Sequence, residues 1–135
     1  MKELVLPAKP EELDTVLDFI NGELEEFGCS PKIMMQIAVS VEEIFVNIAN
    51  YAYAPGTGSA SIGCEISGEP LSITIEFRDG GTPYDPLKRK DPDITLSAEE
   101  REIGGLGIYM VKNFMDEMSY RYKDGQNILT LKKKL

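Results

Sequence analysis

The sequence has no histidine and no tryptophan, only two cysteines, and a marked shortage of basic residues. Without histidine there is no imidazole to act as general base, zinc ligand or phosphoacceptor in this chain. Lysine and arginine number 14 against 23 aspartates and glutamates, a formal charge of −9. That balance argues against a sequence-independent grip on nucleic acid or anionic lipid, which relies on many basic side chains releasing counterions. Cys29 and Cys64 are far apart and show neither a metal-ligand pair nor a disulfide framework, so both read as reduced core thiols. The opening MKELVLPAKP lacks the apolar run of a signal peptide, and no later segment reads as a bilayer span. The expected setting is cytoplasmic, with no membrane or nucleic-acid partner. A length of 135 residues fits one domain with one proper core.

What is present is a clear succession of elements. Lys2 to Leu6 alternates charged and apolar residues as a short strand does, and Pro7 stops it. Leu13, Val16, Leu17, Ile20, Leu24 and Phe27 recur at helical spacing between Pro10 and Phe27. Ser30 followed by Pro31 is an N-cap with proline in the first turn, and Ile33, Met34, Ile37, Val41, Ile44, Phe45 and Ile48 mark a long helix to about Tyr53. Ala60 to Ile66 and Leu71 to Phe77 form a strand hairpin turned by residues 67–70. Gly80 to about Gly105 has no sustained period, and a loop of that length is usually functional or mobile. Leu106 to Met115 is again helical, and Met118 to Tyr122 with Ile128 to Leu131 makes a second hairpin around DGQN. Helices set between hairpins, without βαβ crossovers, predict an α+β layer architecture with the helices on one sheet face.

Three features could carry chemistry. On the second helix Gln36, Ser40, Glu43, Asn47 and Asn50 share a face opposite the apolar stripe, and asparagine is a poor helix former. Glu43 and Asn47 lie one turn apart and can point into one space, although an ordinary wet face accounts for the same residues. In RDGGTPYDP, Arg78 to Pro86, an Asp at a strand end could accept from an exocyclic amine while Gly80 and Gly81 admit a flat ring. Plain turn chemistry explains that run too. In EIGGLGIYMVKNF, Glu102 to Phe114, Gly104, Gly105 and Gly107 lead into a helix whose free amides could cradle phosphates, unless they form a simple hinge.

In this order, the three elements resemble the GHKL (histidine kinase-like) ATP-binding superfamily, over nearly the whole chain. The short length and the FVNIANYAY and FMDEMSY runs are most similar to the anti-sigma factor serine/threonine protein kinases. The resemblance implies a single Bergerat-type domain over residues 1–135, a two-layer α/β sandwich with a mixed, mainly antiparallel sheet and a mobile ATP lid at about 82–103. It implies Mg2+ and ATP as cofactors, with Glu43 as the general base for an acceptor serine and Asn47 holding the metal. Asp79 would receive the adenine amine, Gly81 would make room for the ring, and Thr130 would support that site. Asn50, Gly104, Gly105, Leu106, Gly107 and Ile108 complete the nucleotide contacts. The implied partners are a sigma factor or similar client and an antagonist protein with an acceptor serine; family members often pair, so a homodimer is among the expected assemblies. Ile103 stands where the kinases commonly carry an arginine that stabilises the transferring phosphoryl group. This departure motivates an alternative, an ATP-binding module with weak or no catalysis that acts by sequestration. A detached histidine-kinase catalytic domain ranks below both.

Overall fold

The strand parity read from the sequence is what closes the core. The structure, a computed structural model, describes residues 1–88 and 105–135. Its strands are β1 (Lys2–Pro7), β2 (Ser59–Ser67), β3 (Ser72–Asp79), β4 (Glu117–Lys123) and β5 (Gln126–Lys134), and its helices are α1 (Leu13–Glu25), α2 (Pro31–Asn47) and α3 (Gly105–Phe114). The sheet runs β1-β2-β3-β5-β4 and every pairing is antiparallel. Alternate residues, among them Ile62, Cys64, Ile73, Ile75, Phe77, Leu129 and Leu131, are buried beneath the helices. The opposite face carries Thr74, Glu76, Arg78, Ser119 and Arg121, so this is the α+β, two-layer arrangement expected.

Helix α1 begins after a short 3-10 turn at Pro10–Glu12 and buries Val16, Ile20 and Leu24 along one side. Ser30 caps α2 as its sequence position suggests, accepting the Ile33 N–H at 3.3 Å, with Pro31 in the first turn. Beyond Asn47 the same helix loosens into a π-helical turn, Ile48–Ala52. By length and composition alone Pro31–Ala52 could span a bilayer, with a mean hydropathy of 1.2, which the sequence reading did not allow for. Its Ile37, Val41, Ile44 and Phe45 are instead buried in the core shared with the sheet, as the central helix of a two-layer fold requires. The second hairpin closes on Asp124 and Gly125, both at positive φ (54° and 76°), a two-residue turn that pins Lys123 opposite Gln126 and Tyr122 opposite Asn127.

The two thiols differ. Cys64 is buried on the helix side of β2, whereas Cys29 is only half-buried at the entry to α2, so the expectation of two core thiols holds for one of them. Burial, with the nearby Glu23 charge adding to it, pushes the Cys64 thiol from an ordinary value of 9.0 up to about 11. The folded chain therefore holds this proton more tightly than the unfolded chain. The stability it contributes is complete below the unfolded value and is lost as pH rises through the folded one. We expect the melting midpoint to fall more steeply between pH 9 and about 11 in the parent protein than in Cys64→Ala. In the native state a thiol reagent should modify Cys29 while Cys64 stays protected; parallel slopes with and without Cys64 would refute the assignment.

Candidate functional site

The polar row on α2 divides once the chain is folded. Ser40 is fully buried and its hydroxyl donates to the Gln36 carbonyl at 2.8 Å, so it is satisfied within its own helix. Glu43 and Asn47 form a pair, the Asn47 amide nitrogen donating to Glu43 Oε1 at 3.2 Å. This turns Asn47 Oδ1 outward as an acceptor without a partner among the described residues. Asn50, expected on the same row, is exposed and does not line the cavity below. The physical reason is the π turn, whose wider winding rotates residue 50 out of register with 43 and 47.

The cavity has a volume of about 510 Å3 and lies between the end of α2, the ends of β3 and β5, and the segment 82–86. Ile44, Ile48, Phe77, Ile108 and Leu129 give it apolar walls, and Tyr84 and Tyr120 add aromatic ones. Its size and the few polar groups set in apolar walls are those of a small-molecule site. Asn47 is at one part of the lining and Asp79, only 6% exposed, at another. Asp79 Oδ1 accepts two N–H groups at 3.0 Å, from the Gly81 backbone and from the Asn127 side chain. Oδ2 has no partner among the described residues, so the carboxylate offers one free acceptor to whatever enters. A flat heterocycle carrying an amino group meets both requirements, apolar contact on its faces and a donor at its edge.

Asn127 is the site residue that sequence reasoning missed. Besides Asp79, its Nδ2 donates to the Thr82 carbonyl at 3.0 Å, and its Oδ1 accepts the Tyr84 N–H at 3.0 Å and the Tyr120 hydroxyl. Burial pushes the Tyr120 phenol up, with the Asp85 and Asp79 charges acting in the same direction, so that hydroxyl keeps its proton and donates it. Thr130, which the resemblance placed here, is a correction. It lies opposite Glu76 and Ser119, and strand alternation sets it on the sheet face away from the helices, outside the cavity. The available signal was parity: Asn127 shares a face with Leu129 and Leu131, and Thr130 does not.

Two glycines are fixed by close approach. A Cβ on Gly81 would stand 2.1 Å from the Ala52 carbonyl oxygen, so this glycine lets the β3 end seat against the π turn, where Thr82 N–H also bonds Ala52 O at 2.9 Å. A Cβ on Gly107, in the first turn of α3, would stand 2.0 Å from Glu43 Oε1. The structure thus brings Glu43 to the glycine turn and Asn47 beside it. Gly105 and Leu106 open α3, and Ile108 is buried in the cavity wall. Gly104 and Ile103, and nearly all of the expected lid at 82–103, lie outside the described residues.

No lysine or arginine is found among the described lining residues. A polyphosphate reaching from this cavity toward Glu43 would need the amides of the α3 N-terminus and a bridging cation to offset its charge. The Asn47 Oδ1 left open by the Glu43 contact fits that need, since Mg2+ takes few protein oxygens and keeps most of its waters.

Comparison with known proteins gives a consistent result. The profile of the histidine kinase-like ATPase domain matches residues 6–133. The chain is 28% identical over 102 residues to the serine/threonine-protein kinase BtrW of Bordetella bronchiseptica, covering 76% of this chain and 71% of that one. It is 27% identical over 133 residues to the serine-protein kinase RsbW of Listeria monocytogenes serovar 1/2a, covering 96% and 84%. It is 26% identical over 132 residues to RsbW of Bacillus cereus, covering 96% and 82%.

The two close approaches predict different phenotypes. In Gly81→Ala the added methyl meets backbone that cannot yield, and we expect a loss of about 1–3 kcal/mol in denaturant unfolding. In Gly107→Ala it meets the movable end of Glu43, so stability should change less while the carboxylate is displaced. Equal destabilisation in the two variants would contradict this reading of the contacts.

Proposed function

The chain belongs to the family of histidine kinase-like ATPase domains, and from that premise we propose that it is an anti-sigma-factor-like regulatory kinase that binds Mg2+ and ATP and phosphorylates an antagonist protein on serine. The observation that carries the proposal is that Asp79 and Asn47 line one cavity while Glu43, bonded to Asn47, stands against Gly107 at the start of α3, so that three separate elements meet there. The serine-kinase names of BtrW and RsbW support the reaction class.

In this reading Asp79 Oδ2 accepts the exocyclic amine of adenine while the apolar walls take the ring. The amides at the start of α3 face the phosphates. Asn47 Oδ1 is the protein ligand for Mg2+, whose contribution when bound is to neutralise phosphate charge. Glu43 accepts the proton of the acceptor serine as its Oγ bonds to the terminal phosphorus and the bond to the bridging oxygen of ADP breaks. Its Oε1 is already held by Asn47, which limits its rotation. Asn50 is not among the contacts we propose, and Asn127 replaces Thr130 in the base site. A sigma factor or similar client, the antagonist, a cytoplasmic location and a homodimer belong to the same proposal. The exposed Val5 on the edge strand β1 is compatible with pairing between copies.

A second reading is favoured by Ile103, which takes the position of the transition-state arginine in the resembling kinases. Under it the chain binds nucleotide and sequesters its client without efficient transfer.

Thermal melting with ATP, with and without Mg2+, tests the shared premise. At about 100 times the dissociation constant the native state should gain roughly 2.7 kcal/mol, and Asp79→Ala should abolish the shift. Labelled ATP with candidate antagonist domains then separates the readings. Transfer to serine that falls by about 10²–10⁴-fold in Glu43→Ala supports the kinase. Binding without transfer, with transfer gained in Ile103→Arg, selects the sequestering module. Transfer undiminished in Glu43→Ala would remove Glu43 as the base.

A further inference from the structure

Asn127 is a buried amide with every atom able to hydrogen-bond assigned, and its partners come from three separate segments. Its nitrogen faces three acceptors, Asp79 Oδ1 and the Thr82 carbonyl at 3.0 Å and the Gly81 carbonyl at 3.5 Å, and its oxygen faces two donors, the Tyr84 N–H and the Tyr120 hydroxyl. The amide cannot be reversed, since the Tyr84 N–H can only donate and the Thr82 carbonyl can only accept. The residue is 7% exposed and sits where β5 lies directly opposite Asp79 on β3. Its N–H adds to that of Gly81 on the same carboxylate oxygen, so Asp79, which lines the cavity, is held with Oδ1 committed and Oδ2 without a partner among the described residues.

We propose that Asn127 is the positioning residue that sets base selectivity: by fixing Asp79 as an acceptor toward the cavity, and by tying it to the 82–84 backbone, it makes the site take a base with an amino group and refuse one with a carbonyl at that edge. The inference rests on the nucleotide-binding reading given above. Two N–H donors on Oδ1 fix the rotation of the carboxylate. A carbonyl-bearing base would then set oxygen against oxygen, an unmatched polar contact in a dry site. The tie to Thr82 and Tyr84 means that the wall of the cavity and the recognising carboxylate move together.

Asn127→Asp separates this role from a purely structural one. It keeps the shape and the acceptor toward Tyr84 and Tyr120, but sets a second carboxylate against Asp79 and the Thr82 carbonyl. Two such groups share a proton as pH falls. The titratable groups around the position are Asp79 on β3, Asp85 and Tyr84 in the following segment, and Tyr120 and Tyr122 on β4. Tyrosines do not change charge in the acid range, so a response there belongs to the carboxylates.

The experiment is equilibrium binding of ATP and of inosine triphosphate, which has a carbonyl in place of the amine, to the full chain and its variants, with melting as the check on folding. ATP affinity of Asn127→Asp should fall by about thirtyfold near pH 8 and recover toward the parent value near pH 6, while the parent protein stays flat over that range. In Asn127→Leu the preference for ATP over inosine triphosphate should drop by about tenfold. Tyr120→Phe, which keeps the ring and removes only the hydroxyl donated to Asn127, should lose a smaller part of the same preference. A flat profile at parent affinity in Asn127→Asp, or an unchanged base preference in both Asn127→Leu and Tyr120→Phe, overturns the proposal. A parent protein that binds neither nucleotide overturns the functional reading itself, and this inference with it.

Discussion

The joint between the end of α2 and the end of β3 sets Asp79 against the helix that carries Glu43 and Asn47. There the helix opens into a π turn, and Gly81, lacking a side chain, comes against the Ala52 carbonyl while Thr82 bonds it. Tyr53 closes the joint from the other side, its hydroxyl donating to the Ser59 carbonyl at 2.6 Å and accepting the Gly80 N–H at 2.7 Å. A regular helix would direct its last carbonyls along the axis. The looser turn instead gives up Ala52 O to a strand-end loop, so the backbone that carries Asp79 and the helix that carries Glu43 and Asn47 become one rigid corner. A π turn inside an α-helix is common where function demands such a compromise.

Within that corner the polar groups obey the rule that buried hydrogen-bonding atoms are paired. No buried side-chain nitrogen or oxygen among the described residues lacks a partner. The acceptors left open among the described residues, Asp79 Oδ2 and Asn47 Oδ1, belong to two residues that line the cavity, and the other half of each group is held by a neighbour. Asn127 commits Oδ1 of Asp79, and Glu43 commits the nitrogen of Asn47. In the proposed reading recognition would be built by subtraction, each neighbour removing one bonding option until a single one is left for a ligand.

Much of this was legible locally. The Ser30 and Pro31 helix start, the apolar stripe of α2 and the Asp124–Gly125 turn are all signals carried within a few residues of sequence. Glu43 with Asn47 was legible for the same reason, being one turn apart on a regular helix. Asn50 was misplaced because nothing in the sequence announced the π turn. Asn127 was missed because its partner Asp79 is 48 positions away, and only the β3–β5 register brings them together. Parity would have excluded Thr130, but Asn127, Ile128 and Leu129 are all buried in succession, which hides the alternation. Ile128 is buried on the outer face, beside its cross-strand neighbours Arg78 and Arg121, whose aliphatic stems are long enough to cover it.

The charge layout also separates binding from transfer. The cavity has Asp79 in its lining and Glu43 beside it at the glycine turn, bonded to the lining residue Asn47, and no cationic side chain in its described lining. At the Asp79 end an amine gains a strong acceptor. At the Glu43 end a phosphate would meet a negative group, a repulsion of about 4 kcal/mol for unit charges some 4 Å apart at an effective dielectric of about 20. In the proposed reading helix amides would offset part of this and a divalent cation held by Asn47 the rest, so metal would matter to nucleotide affinity at one end and not to base selection at the other. The two ends belong to different elements, Asp79 to β3 and Glu43 to α2, which meet at the α2 corner. In the proposed reading Ile103 stands where the resembling kinases carry the arginine that serves phosphoryl transfer, so the base recognition proposed for Asp79 and Asn127 does not depend on it.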